Sequence, residues 1–281
     1  MRREEISLKD ETFISLRDFI CEKSGIYFSL KKKYLLENRL KNRVLECNCG
    51  SFEDYYYFLK YDKNKNLEMK RLFDSITTNE TSFFRNPPQL VAFEKSILPQ
   101  LMEVKGEKKK KCIRIWSAGC STGEEPFTIA MILLENQLRS KGWKIEIIAN
   151  DISEGALSSA KYGLYKKNKI NSIPERYLYK YFDNTGEEYS LKIGVKDLVK
   201  FKNTNLIDQI QNKTYQDFDI VFCRNVLIYF DNEAKKKVIT TIYDLLVPGG
   251  YLFIGHSESL HNLSRAFKPL HFEKAIVYKK E

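Results

Sequence analysis

The chain has 281 residues, 43% of them apolar and 13% aromatic, which suits one medium domain plus a small one with a sizeable core. No run stays apolar for the roughly 18 residues that a membrane helix needs, and Met1 to Glu5 open on a polar segment without the apolar block of a signal peptide, so a cytoplasmic protein with no membrane insertion is expected. The net charge of +10 points to an anionic partner but does not identify it.

In chain order, Phe13, Leu16 and Ile20 repeat at helical spacing, as do Leu36, Leu40 and Val44. Ser51 followed by Asp54 resembles a capping box that opens a third helix through Tyr61, and Leu67 to Ile76 reads as a fourth. Residues 1–80 are therefore expected to form a small helical domain. Lys32, Arg39 and Arg43 follow one another at intervals of seven and four, placing them on one helical stripe. That stripe is either a substrate-binding surface for acidic partners or a solvated face beside Leu36 and Leu40.

The pattern changes after Pro87 and Pro88. Cys112–Trp116, Lys144–Ala149, Ile220–Cys223 and Tyr251–Ile254 read as strands, with Pro248-Gly-Gly250 as the turn into the last of these. Glu125–Arg139, Ser153–Lys161 and Glu233–Leu246 read as the helices between them, and Ala275–Tyr278 as a terminal strand. Such alternation predicts an α/β domain over 81–281 with a doubly wound, Rossmann-like parallel sheet. Tyr177–Phe182, Tyr189–Ile193 and Leu198–Phe201 interrupt it as three short β-prone runs, predicting a small antiparallel insertion at about 177–204. Lys108–Lys111 reads as a solvated loop. The six cysteines are scattered, and Cys47 and Cys49 are too close for a usual zinc pair, so free thiols and no metal are expected.

In open α/β sheets the ligand binds beyond the carboxyl ends of the strands. Here the first strand runs into Ser117-Ala-Gly-Cys-Ser-Thr-Gly-Glu124, where Gly119 and Gly123 permit a tight turn close to a ligand. The turn lacks a dinucleotide or P-loop signature, and Glu124 suits an amine or sulfonium better than a diphosphate. Asp151 at the end of the second strand can accept both ribose hydroxyls of an adenosine, or simply cap the next helix.

Four segments then carry a family resemblance: Thr77-Thr-Asn79-Glu-Thr81-Ser-Phe-Phe-Arg85, Trp116 to Pro126, Phe222-Cys-Arg-Asn-Val-Leu-Ile-Tyr-Phe-Asp231 and Gly255-His-Ser-Glu258. Together, in this order, they resemble the chemotaxis receptor methyltransferases (CheR), over essentially the whole chain. The resemblance implies a class I methyltransferase sheet that uses S-adenosylmethionine and releases S-adenosylhomocysteine. It implies cofactor contacts from Asn79, Thr81, Arg85, Gly119, Glu124, Asp151, Asn205, Leu206, Arg224 and Asn225, with Arg85 and Tyr229 nearest the reacting groups. Thr81 and Asn225 suit direct contact or turn hydrogen bonds alike; Phe83 and Phe84 suit core packing; His256 suits either a structural or a pocket role. The implied substrate is glutamate on the cytoplasmic helical region of methyl-accepting chemotaxis receptors, and the chain is expected to act as a monomer. The insertion near 177–204 is expected to contact the receptor or its signalling complex, but not to bind a receptor tether, because the Asp183–Glu188 turn is short, acidic and holds one glycine. A glutamate carboxylate, with a pKa of about 4.3, is already ionised and needs no general base. Approach and alignment, worth roughly 7–11 kcal/mol, are what the protein must supply. Three other readings compete, one being the same chemistry on a protein outside chemotaxis. The basic charge and Asn86-Pro87-Pro88 suggest a nucleic-acid methyltransferase, but Gln89 follows the motif and the motif precedes the cofactor turn, so no nucleic-acid partner is expected. A non-catalytic cofactor-binding module is disfavoured because every motif position is filled.

Overall fold

The computed structural model describes residues 6–209 and 216–281; the polar opening segment Met1–Glu5 lies outside the described residues. Helices α1 (Asp10–Ser24), α2 (Lys33–Glu46), α3 (Phe52–Tyr61) and α4 (Lys65–Ile76) form the helical unit. The expected apolar periodicity is what they bury: Phe13, Leu16 and Ile20 from α1, and Leu36, Leu40 and Val44 from α2, are sealed from solvent. Ser51 caps α3 as its spacing predicts, its hydroxyl accepting from the Asp54 N–H at 3.1 Å.

Helices α5 (Pro87–Ala92) and α6 (Leu98–Glu107), joined by one wider turn, lead to β1 (Cys112–Ala118). There follow α7 (Glu124–Glu135), β2 (Lys144–Asp151), α8 (Glu154–Tyr162), β3 (Leu164–Lys166), α9 (Lys167–Ile170), α10 (Glu175–Tyr181), β4 (Phe182–Asn184), β5 (Glu188–Leu191), α11 (Ile193–Lys196) and β6 (Val199–Asn203). The remainder is β7 (Phe218–Cys223), α12 (Asn232–Leu245), β8 (Leu246–Ile254), β9 (Phe267–Phe272) and β10 (Ala275–Lys280). The main sheet runs β6-β2-β1-β7-β8-β10-β9, parallel from β6 to β8, with β10 antiparallel to both neighbours. Strand order reverses at β1, which puts the crevice beyond β1 and β7.

Both faces of the sheet are covered, so most side chains of its central strands are apolar and buried. Ile113, Ile115, Ile220, Phe222, Tyr251 and Phe253 pack on one side with Phe93, Phe127 and the small β-unit. Trp116, Val221, Leu252 and Ile254 pack on the other, in a cluster that continues without a break through α12 into Leu16, Leu40 and Leu72 of the helical unit.

Several expectations need correction. The small antiparallel sheet is β3-β5-β4, so its third strand lies before the expected 177–204 window. Tyr177–Tyr181 is helical, because Tyr177 and Tyr181, one turn apart, both bury against the sheet-side core, with the Tyr177 ring 4.6 Å from that of Phe84. Leu198–Phe201 belongs to the main sheet: Val199 to Asn203 pair in parallel with Ile147 to Asp151. Pro248-Gly-Gly250 is not a turn but part of β8, where a register irregularity opposite Phe218–Ile220 absorbs Gly249 at φ 80°. Strand β9 was not expected; its run Phe267-Lys-Pro-Leu-His-Phe272 holds a proline, which an edge strand tolerates.

Candidate functional site

The crevice is a cleft of about 940 Å³, counted with its opening to solvent. Its floor is the β1–α7 turn, the end of β2 and the segments following β6 and β7; its roof is the 76–85 linker with Ser24 and Ile26 of the helical unit. The roof is latched in place. The Tyr27 N–H donates to the Tyr229 carbonyl at 2.9 Å, and the Asn205 amide donates to the Lys23 carbonyl at 2.7 Å.

Asn79, Thr81, Arg85, Gly119, Asp151, Asn205, Leu206, Arg224, Asn225 and Tyr229 all line this cleft. Glu124 does not: it is fully buried behind the turn, accepting from the Thr122 hydroxyl at 2.7 Å, with Lys169 at 3.7 Å from its other oxygen. The next residue lines the cleft instead. Glu125 accepts from the Ser117 hydroxyl at 2.7 Å and pairs with Arg224 at 3.3 Å, and Arg224 also donates to the Arg85 carbonyl. Burial pushes the Glu125 carboxyl above its usual range, against the pull of Arg224 and the Ser117 hydroxyl. One position of helical phase separates these glutamates, and the motif alone does not say which turns inward.

Asp151 is held from below. Its two oxygens accept the Ser121 N–H at 2.8 Å and the Ser153 N–H at 3.0 Å. Asn79 accepts from the Ser121 hydroxyl at 3.3 Å, tying the linker to the turn. Glu258 is a further residue that sequence reasoning left without a role. Its carboxylate accepts the Asn225 N–H at 2.9 Å, the Ile228 N–H at 3.2 Å and the Gly255 N–H, so it fixes the loop that carries Asn225 and Tyr229. The signal for it was present in Gly255-His-Ser-Glu258, the last of the four family segments.

Gly119 sits at φ 74°, and a Cβ there would lie 2.6 Å from Val226 Cγ2 across the cleft floor. Gly119→Ala is therefore expected to cost about 1–3 kcal/mol of stability. Chemical denaturation checks this, and Val226→Ala in the same chain should return part of the loss by relieving the contact.

The basic stripe is corrected by its own hydrogen bonds. Arg43 is buried, forking onto Glu68 and reaching Glu46, while the Tyr55 hydroxyl donates to Glu68 at 2.8 Å. Arg39 donates to the Ile76 carbonyl and, at 2.6 Å, to the Thr78 hydroxyl, bracing the linker that roofs the cleft. Lys32 is exposed but belongs to the 3₁₀ turn Leu30–Lys32 before α2. Arg43 is buried with its guanidinium turned onto Glu68 and Glu46, so the three residues do not form one exposed stripe.

A parallel sheet closed by an antiparallel hairpin, a strand-end acid beside the crevice and no phosphate-binding glycine signature define a Rossmann-like class I methyltransferase fold. Residues 79–276 match the CheR methyltransferase, SAM binding domain, and residues 11–77 match the CheR methyltransferase, all-alpha domain. Chemotaxis protein methyltransferase 2 of Vibrio cholerae is 35% identical over 277 residues, covering 98% of this chain and 95% of that protein. The chemotaxis protein methyltransferase of Borreliella burgdorferi is likewise 35% identical over 277 residues, at 98% and 96% coverage. Chemotaxis protein methyltransferase 1 of Pseudomonas aeruginosa is 33% identical over 280 residues, at 98% and 99%. The chain belongs to the CheR methyltransferase family, and its α/β unit is that family's S-adenosylmethionine-binding domain. No helix among the described residues is long and apolar enough to cross a membrane.

Proposed function

We propose that the chain transfers the methyl group of S-adenosylmethionine to glutamate side chains in the cytoplasmic helical region of chemotaxis receptors, forming methyl esters. The observation that carries the reading is the cleft, whose lining offers a group suited to each part of that cofactor. Asp151 spends one lone pair of each oxygen on the backbone and keeps others for a ribose diol. Ile152 and Leu206 supply apolar flanks for an adenine, and Glu125 a carboxylate for an ammonium. Gly119 leaves the floor bare where a side chain would fill it.

The bound cofactor would supply an electrophilic methyl group on a sulfonium. This chain's residues do the rest by position. Arg85 donates to the Glu80 carbonyl at 2.9 Å and has further N–H groups for a carboxylate, so it is the residue that orients the acceptor. Tyr229 lines the same cleft, its backbone held by Tyr27. An ionised glutamate attacks without a base, and the roof covers part of the approach. The test is incubation with labelled S-adenosylmethionine and receptors from the same organism. Label that enters the receptors and is released by mild base supports an ester; base-stable label, or none, overturns the reading.

A further inference from the structure

The small β-unit grips the walls of the cleft at several points. From β3, the buried Tyr165 donates its hydroxyl to the Thr122 carbonyl at 2.8 Å, in the turn that floors the cleft. Beyond α9, the Ser172 hydroxyl donates to the Phe83 carbonyl at 2.8 Å, in the linker that roofs it. Phe83 is itself sealed from solvent, with the rings of Tyr165 and Phe182 at 4.8 and 5.4 Å. Lys169 of α9 reaches both walls at once. Its ammonium donates to the Thr81 carbonyl at 3.4 Å and stands 3.7 Å from Glu124 Oε1.

Glu124 gives that second contact its weight. The residue is fully buried, and its Oε1 accepts no hydrogen bond among the described residues, while Oε2 takes the Thr122 hydroxyl. Burial pushes the Glu124 carboxyl up; the Thr122 hydroxyl, its own backbone N–H and the Lys169 ammonium oppose that. A buried carboxylate is costly unless it is paired, and Lys169, 41% exposed at its side chain, supplies a cation that stays near water. Neither Lys169 nor Glu124 lines the cleft, whereas Thr81 and Ser121 do, so any effect of the pair on a bound molecule passes through the roof and the turn.

From this arrangement we propose that Lys169 is a positioning residue for the cofactor: by bridging the Thr81 carbonyl and the buried Glu124 carboxylate, it fixes the gap between the roof and the floor of the cleft. The proposal rests on the cleft being the S-adenosylmethionine site and adds that the small β-unit sets its width.

The test is calorimetric titration of the full chain with S-adenosylhomocysteine, well below the unfolding temperature, where a loss of stability alone does not move affinity. Lys169→Met keeps the stem and removes the donor and the charge; it should weaken binding about threefold to tenfold, the scale of a partly exposed charged contact. Lys169→Arg should restore most of that loss. Lys167→Met removes the same charge from an exposed position of the same short helix and should leave affinity unchanged. Lys169→Met should also cost less in a Glu124→Gln background, where no buried carboxylate needs a partner. Should Lys169→Met fail to fold, Lys169→Gln, which keeps a donor but not the charge, takes its place under the same criteria. Wild-type affinity in the variant, an equal loss in Lys167→Met, no rescue by arginine, or equal costs in both backgrounds overturns the positioning role and leaves the cofactor reading intact. Absence of binding by wild type overturns the cofactor reading, and the positioning role with it.

Discussion

Replacing Arg43 by alanine should lower the stability of the chain by about 3–5 kcal/mol, the cost of leaving a buried carboxylate without its partner. Arg43 and Glu68 are 9% and 3% exposed at their side chains and meet in a fork, with the buried Tyr55 hydroxyl on the same carboxylate. Burial pushes the Glu68 carboxyl up, and the bonds from Arg43 and Tyr55 outweigh it, holding the group below its ordinary 4.5. A depressed carboxylate contributes stability that is fully present above pH 4.5 and lost as the pH falls through the lowered value. Urea denaturation at neutral pH should show the loss in Arg43→Ala. Below pH 4.5 the gap between variant and wild type should narrow. A variant as stable as wild type at pH 7 would remove the ion pair from the account. Reversing the charges at Arg39 and Arg43 together should lower stability and loosen the cleft roof, because Arg39 braces the linker at Ile76 and Thr78.

The second large effect is on the cofactor. Asp151→Ala should weaken S-adenosylhomocysteine binding by about 1–3 kcal/mol, about 5- to 150-fold, by removing charged hydrogen bonds. Burial raises the Asp151 carboxyl above its ordinary 3.8, against the N–H groups of Ser153 and Ser121 that favour the charged form. A ligand that requires the carboxylate should therefore lose affinity on acidification at a pH above 3.8, and Asp151→Ala should lack that decline. Calorimetry across acidic pH reads both. Unchanged affinity at neutral pH would remove the ribose assignment.

The parts of the molecule legible in the sequence are those encoded locally. Apolar spacing marked α1 to α4, the glycine turn after β1 marked the crevice, and an acid at the next strand end marked Asp151. What sequence did not settle depends on partners distant along the chain. Nothing in the α2 pattern says that Arg43 will meet Glu68, 25 residues away, rather than solvent. The choice between Glu124 and Glu125 turns on the phase with which α7 leaves Gly123, which Ser117 and Arg224 fix from other elements. Leu198–Phe201 has the same β-prone composition as the small sheet, and only its parallel pairing with β2 places it in the large one.

The most direct test of the account is tandem mass spectrometry of a receptor cytoplasmic fragment after incubation with this chain and S-adenosylmethionine. The account predicts added methyl groups on glutamate side chains, removed by mild base and lost when those glutamates are changed to glutamine. Methyl groups found on lysine, arginine or nucleic acid, or a fragment of unchanged mass beside a chain that binds the cofactor, would contradict it.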